Sequence, residues 1–264
     1  MLRETFLHIP GVGERTEARL WRTGVRSWQD VRRRGLPDDL PRRLAETVGR
    51  EVERSEAALH DGRYRYFAAN LPPREHWRAL PEFGDRIAYL DIETTGLSAG
   101  RDAVTVVGLY DGRRTMSFVR GANLEELPEA LDGAKLLVTF NGARFDVPFL
   151  RAAFPRMRLD QIHVDLLYPL RRLGFQGGLK RIERRVGLPR SEATQGLGGF
   201  DAVRLWRAYE RGDGSALDLL LEYNLEDVVN LEPLAGIAYA GLRALRFGES
   251  FVTADRLEGL TGPR

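Results

Sequence analysis

Arg86-Ile87-Ala88-Tyr89-Leu90-Asp91-Ile92-Glu93-Thr94-Thr95-Gly96-Leu97 is the stretch that decides the fold. Arg86 to Ile92 predicts a strand, because Ile87, Tyr89 and Leu90 are apolar or aromatic and a turn follows at Gly96. Residues two apart in a strand share a face. Asp91 and Glu93 therefore project together near the strand's C-terminal end. Two adjacent carboxylates repel unless a cation lies between them, and a divalent metal resolves that repulsion.

Two further acidic motifs lie downstream. Lys135 to Phe140 is a short apolar run that predicts a buried strand, and Asn141-Gly142 turns the chain. A helix is expected from Phe145 to Ala153, with Pro148 in its first turn. Asp146 then sits at a helix N-terminus, where the helix dipole favours an acid and simple capping is the alternative to a site role. The third motif is Tyr223-Asn224-Leu225-Glu226-Asp227, within a helix marked by Leu217, Leu220, Leu221, Leu225, Val228 and Leu231. Tyr223 and Asp227 are four apart, so phenol and carboxylate share one face. The alternative is an amphipathic helix with an ordinary surface Asp. Singly the last two motifs are weak; in this order and in these contexts they point to one site.

Between these motifs, strands are expected over about Ala103 to Tyr110 and Arg114 to Val119, joined by the hairpin signal Asp111-Gly112. A helix is expected near Leu124 to Leu131, and His163-Val164-Asp165-Leu166-Leu167 predicts a fifth strand entering another helix. Asp165 is either a support for the acidic site or the N-cap of that helix.

The three motifs together resemble those of the DEDD superfamily of 3′–5′ exonucleases, in the subclass whose third motif is Tyr-x-x-x-Asp (DEDDy). The sister subclass has His five residues before the last Asp, where this chain has Glu222. The segment Gly177-Gly178-Leu179-Lys180-Arg181-Ile182 is similar to the region between the second and third motifs of proofreading domains. The whole arrangement is most similar to the YprB-type bacterial family, which joins an N-terminal helical region to a ribonuclease-H-like domain.

The resemblance implies an α/β ribonuclease-H-like fold, a mixed sheet flanked by helices, with a small N-terminal all-helical region. It implies that Asp91 bridges two ions, Mg2+ or Mn2+, that Glu93 and Asp227 complete one site, and that Asp146 contributes to the other. Tyr223 would orient the attacking water, while Thr94, Leu97, Asn141 and Phe145 would hold the terminal nucleotide. Phe145 has a core role as its alternative. The implied activity is hydrolysis of single-stranded 3′ ends, DNA ahead of RNA. The alternative is a non-catalytic nucleic-acid-binding or proofreading-type subunit of a larger assembly.

The N-terminal segment Phe6-Leu7-His8-Ile9-Pro10-Gly11-Val12-Gly13 precedes a helical stretch with Ala18, Leu20 and Trp21, and Ser27 is a plausible cap for a second helix through Val31. This resembles a helix-hairpin-helix module whose first helix would fall within residues 1–8. The resemblance implies backbone contacts from Gly11 and Gly13 to phosphate. A small helical bundle used only for packing is the alternative. Residues 1–80 carry 16 Arg against 12 acids, and the remainder carries 24 Lys and Arg against 26 acids, so the first part has the basic excess.

The expected organisation is a helical region at 1–60, a linker at 61–84, the exonuclease domain at 85–240 and an extension at 241–264. The 264 residues suffice for one domain plus a small one, and 43% hydrophobic content supplies a core. There is no Cys, which excludes disulfide and thiolate metal sites. His8, His60, His76 and His163 show no ligand spacing. No run of about 18 apolar residues occurs, so a soluble, cytoplasmic protein without a membrane partner is expected.

Overall fold

The structure, a computed structural model, describes residues 1–248. The chain divides into two compact units, Met1–Gly84 with Asp160–His163, and Asp85–Leu159 with Val164 onward.

The first unit holds α1 (Glu14–Arg22), α2 (Trp28–Arg34), α3 (Arg42–His60), α4 (Tyr64–Asn70) and α5 (Leu80–Phe83). Ser27 and Asp30 form a reciprocal capping box that starts α2, a motif whose cap is worth about 1 kcal/mol. The indole N–H groups of Trp21 and Trp28 donate to the carbonyls of Glu4 and Thr5 and pin the first residues. Only a 3-10 turn, Leu2–Glu4, forms within residues 1–8. The expected first helix of a hairpin module is therefore not an α-helix here; a segment this short and ending at Pro10 does not complete one.

The stretch 61–84, expected as a linker, instead contains α4, a 3-10 helix at Pro73–Ala79 and α5. Its anchor is ionic. Arg78, fully buried, donates to both oxygens of Glu17 at 3.1 and 3.0 Å and to Glu75 at 2.7 Å. Buried charges survive only when paired this completely. In sequence they read as surface, which hid the segment's place in a core.

The sheet on which the second unit is built has β1 (Ile87–Thr94), β2 (Val104–Tyr110), β3 (Thr115–Val119), β4 (Leu136–Thr139) and β5 (Ile162–Asp165), in the order β3-β2-β1-β4-β5; of β5, only Val164 and Asp165 fall within that unit. β1 is central, antiparallel to β2 and parallel to β4. Such a strand is buried on both faces, which explains its nearly continuous apolar run. The Asp111-Gly112 turn joins β2 to β3, with Gly112 at φ +86°, a conformation that favours glycine. The helices are α6 (Leu127–Asp132), α7 (Asp146–Ala153), α8 (Leu167–Arg172), α9 (Leu179–Val186), α10 (Gly199–Glu210) and α11 (Gly214–Phe247).

Strand parity sorts the layers. Ala88, Leu90 and Ile92 pack with Leu127, Leu131, Phe149 and Leu150 from α6 and α7. The alternate residues of the sheet face α10 and α11, where Val106 and Val119 pack with Trp206, Leu220 and Tyr223. Asp91 and Glu93 belong to this second parity. This is the expected mixed sheet flanked by helices.

α11 runs 34 residues, with Asp213 accepting from Ala216 N at its start. It passes through Pro233 and extends to Phe247. The expected extension at 241–264 thus begins inside this helix, and its residues 249–264 lie outside those described. Among the described residues, no helix is long and apolar enough to cross a membrane.

Candidate active site

The site forms where β1 ends against the middle of α11. Asp91, Glu93 and Asp227 each offer a carboxylate oxygen, and these oxygens lie within 4.8 Å of one another. A register shift between Glu93 and Thr94 falls at this point of the β1–β2 ladder. Such irregularities re-aim side chains next to functional sites.

Asp146 is not one of that trio. It opens α7 just after the β4 turn, is 3% exposed, and its Oδ1 has no hydrogen-bond partner. It nevertheless lies close enough for its charge to raise the pKa of both Asp91 and Glu93. A buried carboxylate oxygen without a donor is costly. Four acids crowded this way, with one orphan oxygen, are a donor set that suits hard divalent cations.

The electrostatics agree. Burial first, then Asp227, Asp146 and Glu93, hold the Asp91 carboxyl well above its ordinary range. Glu93 is pushed up to about 8, chiefly by burial and then by Asp227. Asp146 is pushed up to about 7, again chiefly by burial. Asp227 is also raised by burial, although Lys180 and Arg190 beside it pull the other way. Without a cation, this site prefers protons on its carboxylates.

Tyr223 is buried one helical turn before Asp227. Its hydroxyl accepts from Lys180 Nζ at 2.5 Å, and the same ammonium reaches Asp227 Oδ2 at 3.3 Å. Burial first and then Asp227, Glu93 and Asp91 push the phenol's pKa far up. It stays protonated at neutral pH.

Three contributors were not expected from the sequence. Lys180 is one; its signal was that it is one of only two lysines in an arginine-rich chain. Asn224 is fully buried on the same face as Tyr223 and Asp227, and its Nδ2 donates to Asp91 Oδ2 at 2.9 Å. It sits over Gly108, which pairs with Asp91 across the β1–β2 ladder. A methyl group at Gly108 would overlap Asn224 Oδ1. Arg190, whose Nη2 donates to Asp227 Oδ1, is the third, and nothing in its sequence surroundings marks it.

Asp165 supports the second motif. Its carboxylate accepts from the N–H groups of Asn141 at 2.7 Å and Ala143 at 3.1 Å, and also from Leu167 N at 3.2 Å. It therefore fixes the turn before Asp146 and also holds the first residue of α8, whose N-cap is Leu166. Asn141 has φ +63°, and Gly142 lies so close to Thr139 that a side chain there would overlap it.

The remaining expected residues are more scattered in environment. Thr94 is buried, and its hydroxyl donates to Gly96 O. Leu97 is 79% exposed in the loop after β1. Phe145 is half-buried and packs on Phe149, ring centroids 4.9 Å apart. In the first unit, Gly11 and Gly13 are exposed, Gly11 with φ +84°.

A family model described as the RNase H superfamily matches residues 88–239. No curated protein matches the chain. Among solved structures, the chain is similar to the family B DNA polymerase of the hyperthermophilic archaeon Pyrobaculum calidifontis, at 18% identity and a TM-score of 0.45. That match covers 66% of this chain and only 28% of the polymerase. The chain is also similar to Brucella melitensis NrnC bound to pGG, at 23% identity over 69% of this chain and 82% of that one, with a TM-score of 0.44. A nuclease in its apo form is similar at 22% identity over 69% of this chain and 84% of that one, with a TM-score of 0.45.

Proposed function

Because the chain belongs to the RNase H superfamily, we propose that it is a metal-dependent nuclease, specifically a 3′–5′ exonuclease of single-stranded ends that takes DNA ahead of RNA. The observation that carries the proposal is the meeting of Asp91, Glu93 and Asp227 beside the orphaned oxygen of Asp146 and the protonated Tyr223.

In this reading Asp91, Glu93 and Asp227, with Asp146 beside them, are the residues that would hold two divalent cations. Bound there, Mg2+ or Mn2+ supplies the positive charge that stabilises the attacking and leaving oxygens of an in-line displacement. Asn224 keeps Asp91 in place through Oδ2. Tyr223 accepts from Lys180, so its own proton is free to be donated to a water, which it orients towards the phosphorus. Lys180 fixes the rotor of that hydroxyl.

Thr94, Leu97, Asn141 and Phe145 hold the terminal nucleotide. The exposure of Leu97 supports a wedge against a base, and the partial exposure of Phe145 supports stacking. The exposed Gly11 and Gly13 of the first unit, either side of the buried Val12, contribute backbone contacts to phosphates. Incubation of DNA and RNA strands labelled at either end tests the proposal. Mononucleotides released in order from the 3′ end, faster from DNA, are expected. Internal cuts, or release from the 5′ end, would refute the direction.

A further inference from the structure

Asp227 is held by two cations of very different mobility. Its Oδ1 accepts from Arg190 Nη2. The same guanidinium is forked onto Glu183, Nε to Oε2 and Nη2 to Oε1, both at 2.7 Å. Glu183 is itself fixed by Asn230 Nδ2 on α11, at 3.0 Å from Oε1. The side chains of Arg190 and Glu183 are 9% and 1% exposed. Paired, charge-assisted and buried, this arrangement is rigid. On the other oxygen, Lys180 stands at a longer 3.3 Å, and its side chain is 28% exposed. A lysine ammonium on a flexible stem exchanges readily.

We propose that Arg190 is a positioning residue for Asp227: anchored by Glu183 and Asn230, it keeps Oδ1 and so presents Oδ2 alone to a divalent cation, which takes the place of Lys180 on that oxygen while Lys180 keeps Tyr223. The proposal rests on the metal-dependent reading above. It explains why an arginine stands there. Only a planar fork reaches Glu183 and Asp227 at once, and a lysine cannot hold both. Groups that orient a metal-binding carboxylate typically change metal affinity by about 10–100-fold when removed.

The test is calorimetric titration of the full chain with MnCl2. Replacing Arg190 alone would leave Glu183 buried and unpaired, so the informative variant combines Arg190→Gln with Glu183→Gln. It leaves the net charge unchanged, and a change in affinity then reports orientation rather than charge. The folded double variant is expected to bind Mn2+ about 10–100-fold more weakly, with the KM for the strand unchanged. Arg190→Lys, which keeps Glu183 neutralised and serves as the comparison should the double variant fail to fold, is expected to fall in between. Wild-type or tighter Mn2+ binding in either folded variant overturns the proposal; tighter binding would make Arg190 a competitor of the cation. A wild-type chain that takes up no Mn2+ overturns the metal-dependent reading and this proposal together.

Discussion

Replacing Glu93 by Gln removes one charge from the crowded carboxylate site and leaves its shape nearly unchanged. In the metal-free protein Glu93 titrates at about 8, against an ordinary 4.5. Its folded-state pKa is raised, so the folded protein holds a proton that the unfolded chain releases. The associated stability is fully present below pH 4.5 and is lost as pH rises through about 8. The full gap corresponds to about 5 kcal/mol. The neighbouring acids readjust when one charge goes, so a gain of about 2–4 kcal/mol at pH 9 is expected for Glu93→Gln. That is roughly 5–10 °C in Tm for a unit of this size. At pH 5 the native Glu93 is protonated while the unfolded chain is already partly ionised, so the variant should exceed wild type by no more than about 2 °C. Scanning calorimetry at both pH values in chelator is the assay. An equal Tm difference at pH 5 and pH 9, or a less stable variant at pH 9, would refute the argument that repulsion and burial set this site's energetics.

Other substitutions probe separate parts of the account. Tyr223→Phe should lower turnover by about 10²-fold while leaving Mn2+ binding unchanged; wild-type turnover would assign the phenol to packing. Gly108→Ala should push Asn224 off Asp91 and cost about 1–3 kcal/mol from overpacking, together with most of the activity; a fully active, equally stable variant would show that Asn224 does not hold Asp91. A chain beginning at Asp85 keeps all four acids and should still degrade short oligonucleotides. It should bind long strands more weakly and with a shallower salt dependence, measured by fluorescence anisotropy. Unchanged affinity and slope would remove the Gly11–Gly13 segment from nucleic-acid binding.

Much of the second unit could be read from its residues. β1 was visible because a central strand is apolar on both faces, and the two-residue spacing of Asp91 and Glu93 placed them on one side. The apolar spacing in α11 placed Tyr223 and Asp227 together. What escaped was tertiary. Asn224 and Asp91 are 133 residues apart, and Arg190 and Asp227 are 37 apart; neither pairing has a local pattern. The sequence marked this helix only as far as Leu231; α11 continues through Pro233 to Phe247, although proline gives up one helical hydrogen bond. The place of residues 61–84 was hidden because Glu17, Glu75 and Arg78 neutralise one another in a buried cluster that composition scores as solvent-facing.

The most direct measurement follows hydrolysis of a 3′-labelled single strand by wild type and by Asp91→Ala, in Mg2+, in Mn2+ and in excess chelator. The carboxylate site predicts release of labelled nucleotide by wild type with either metal and none in chelator. It predicts no release under any condition from an Asp91→Ala chain whose circular dichroism matches wild type. Undiminished cleavage in chelator, or by the folded Asp91→Ala variant, would contradict it.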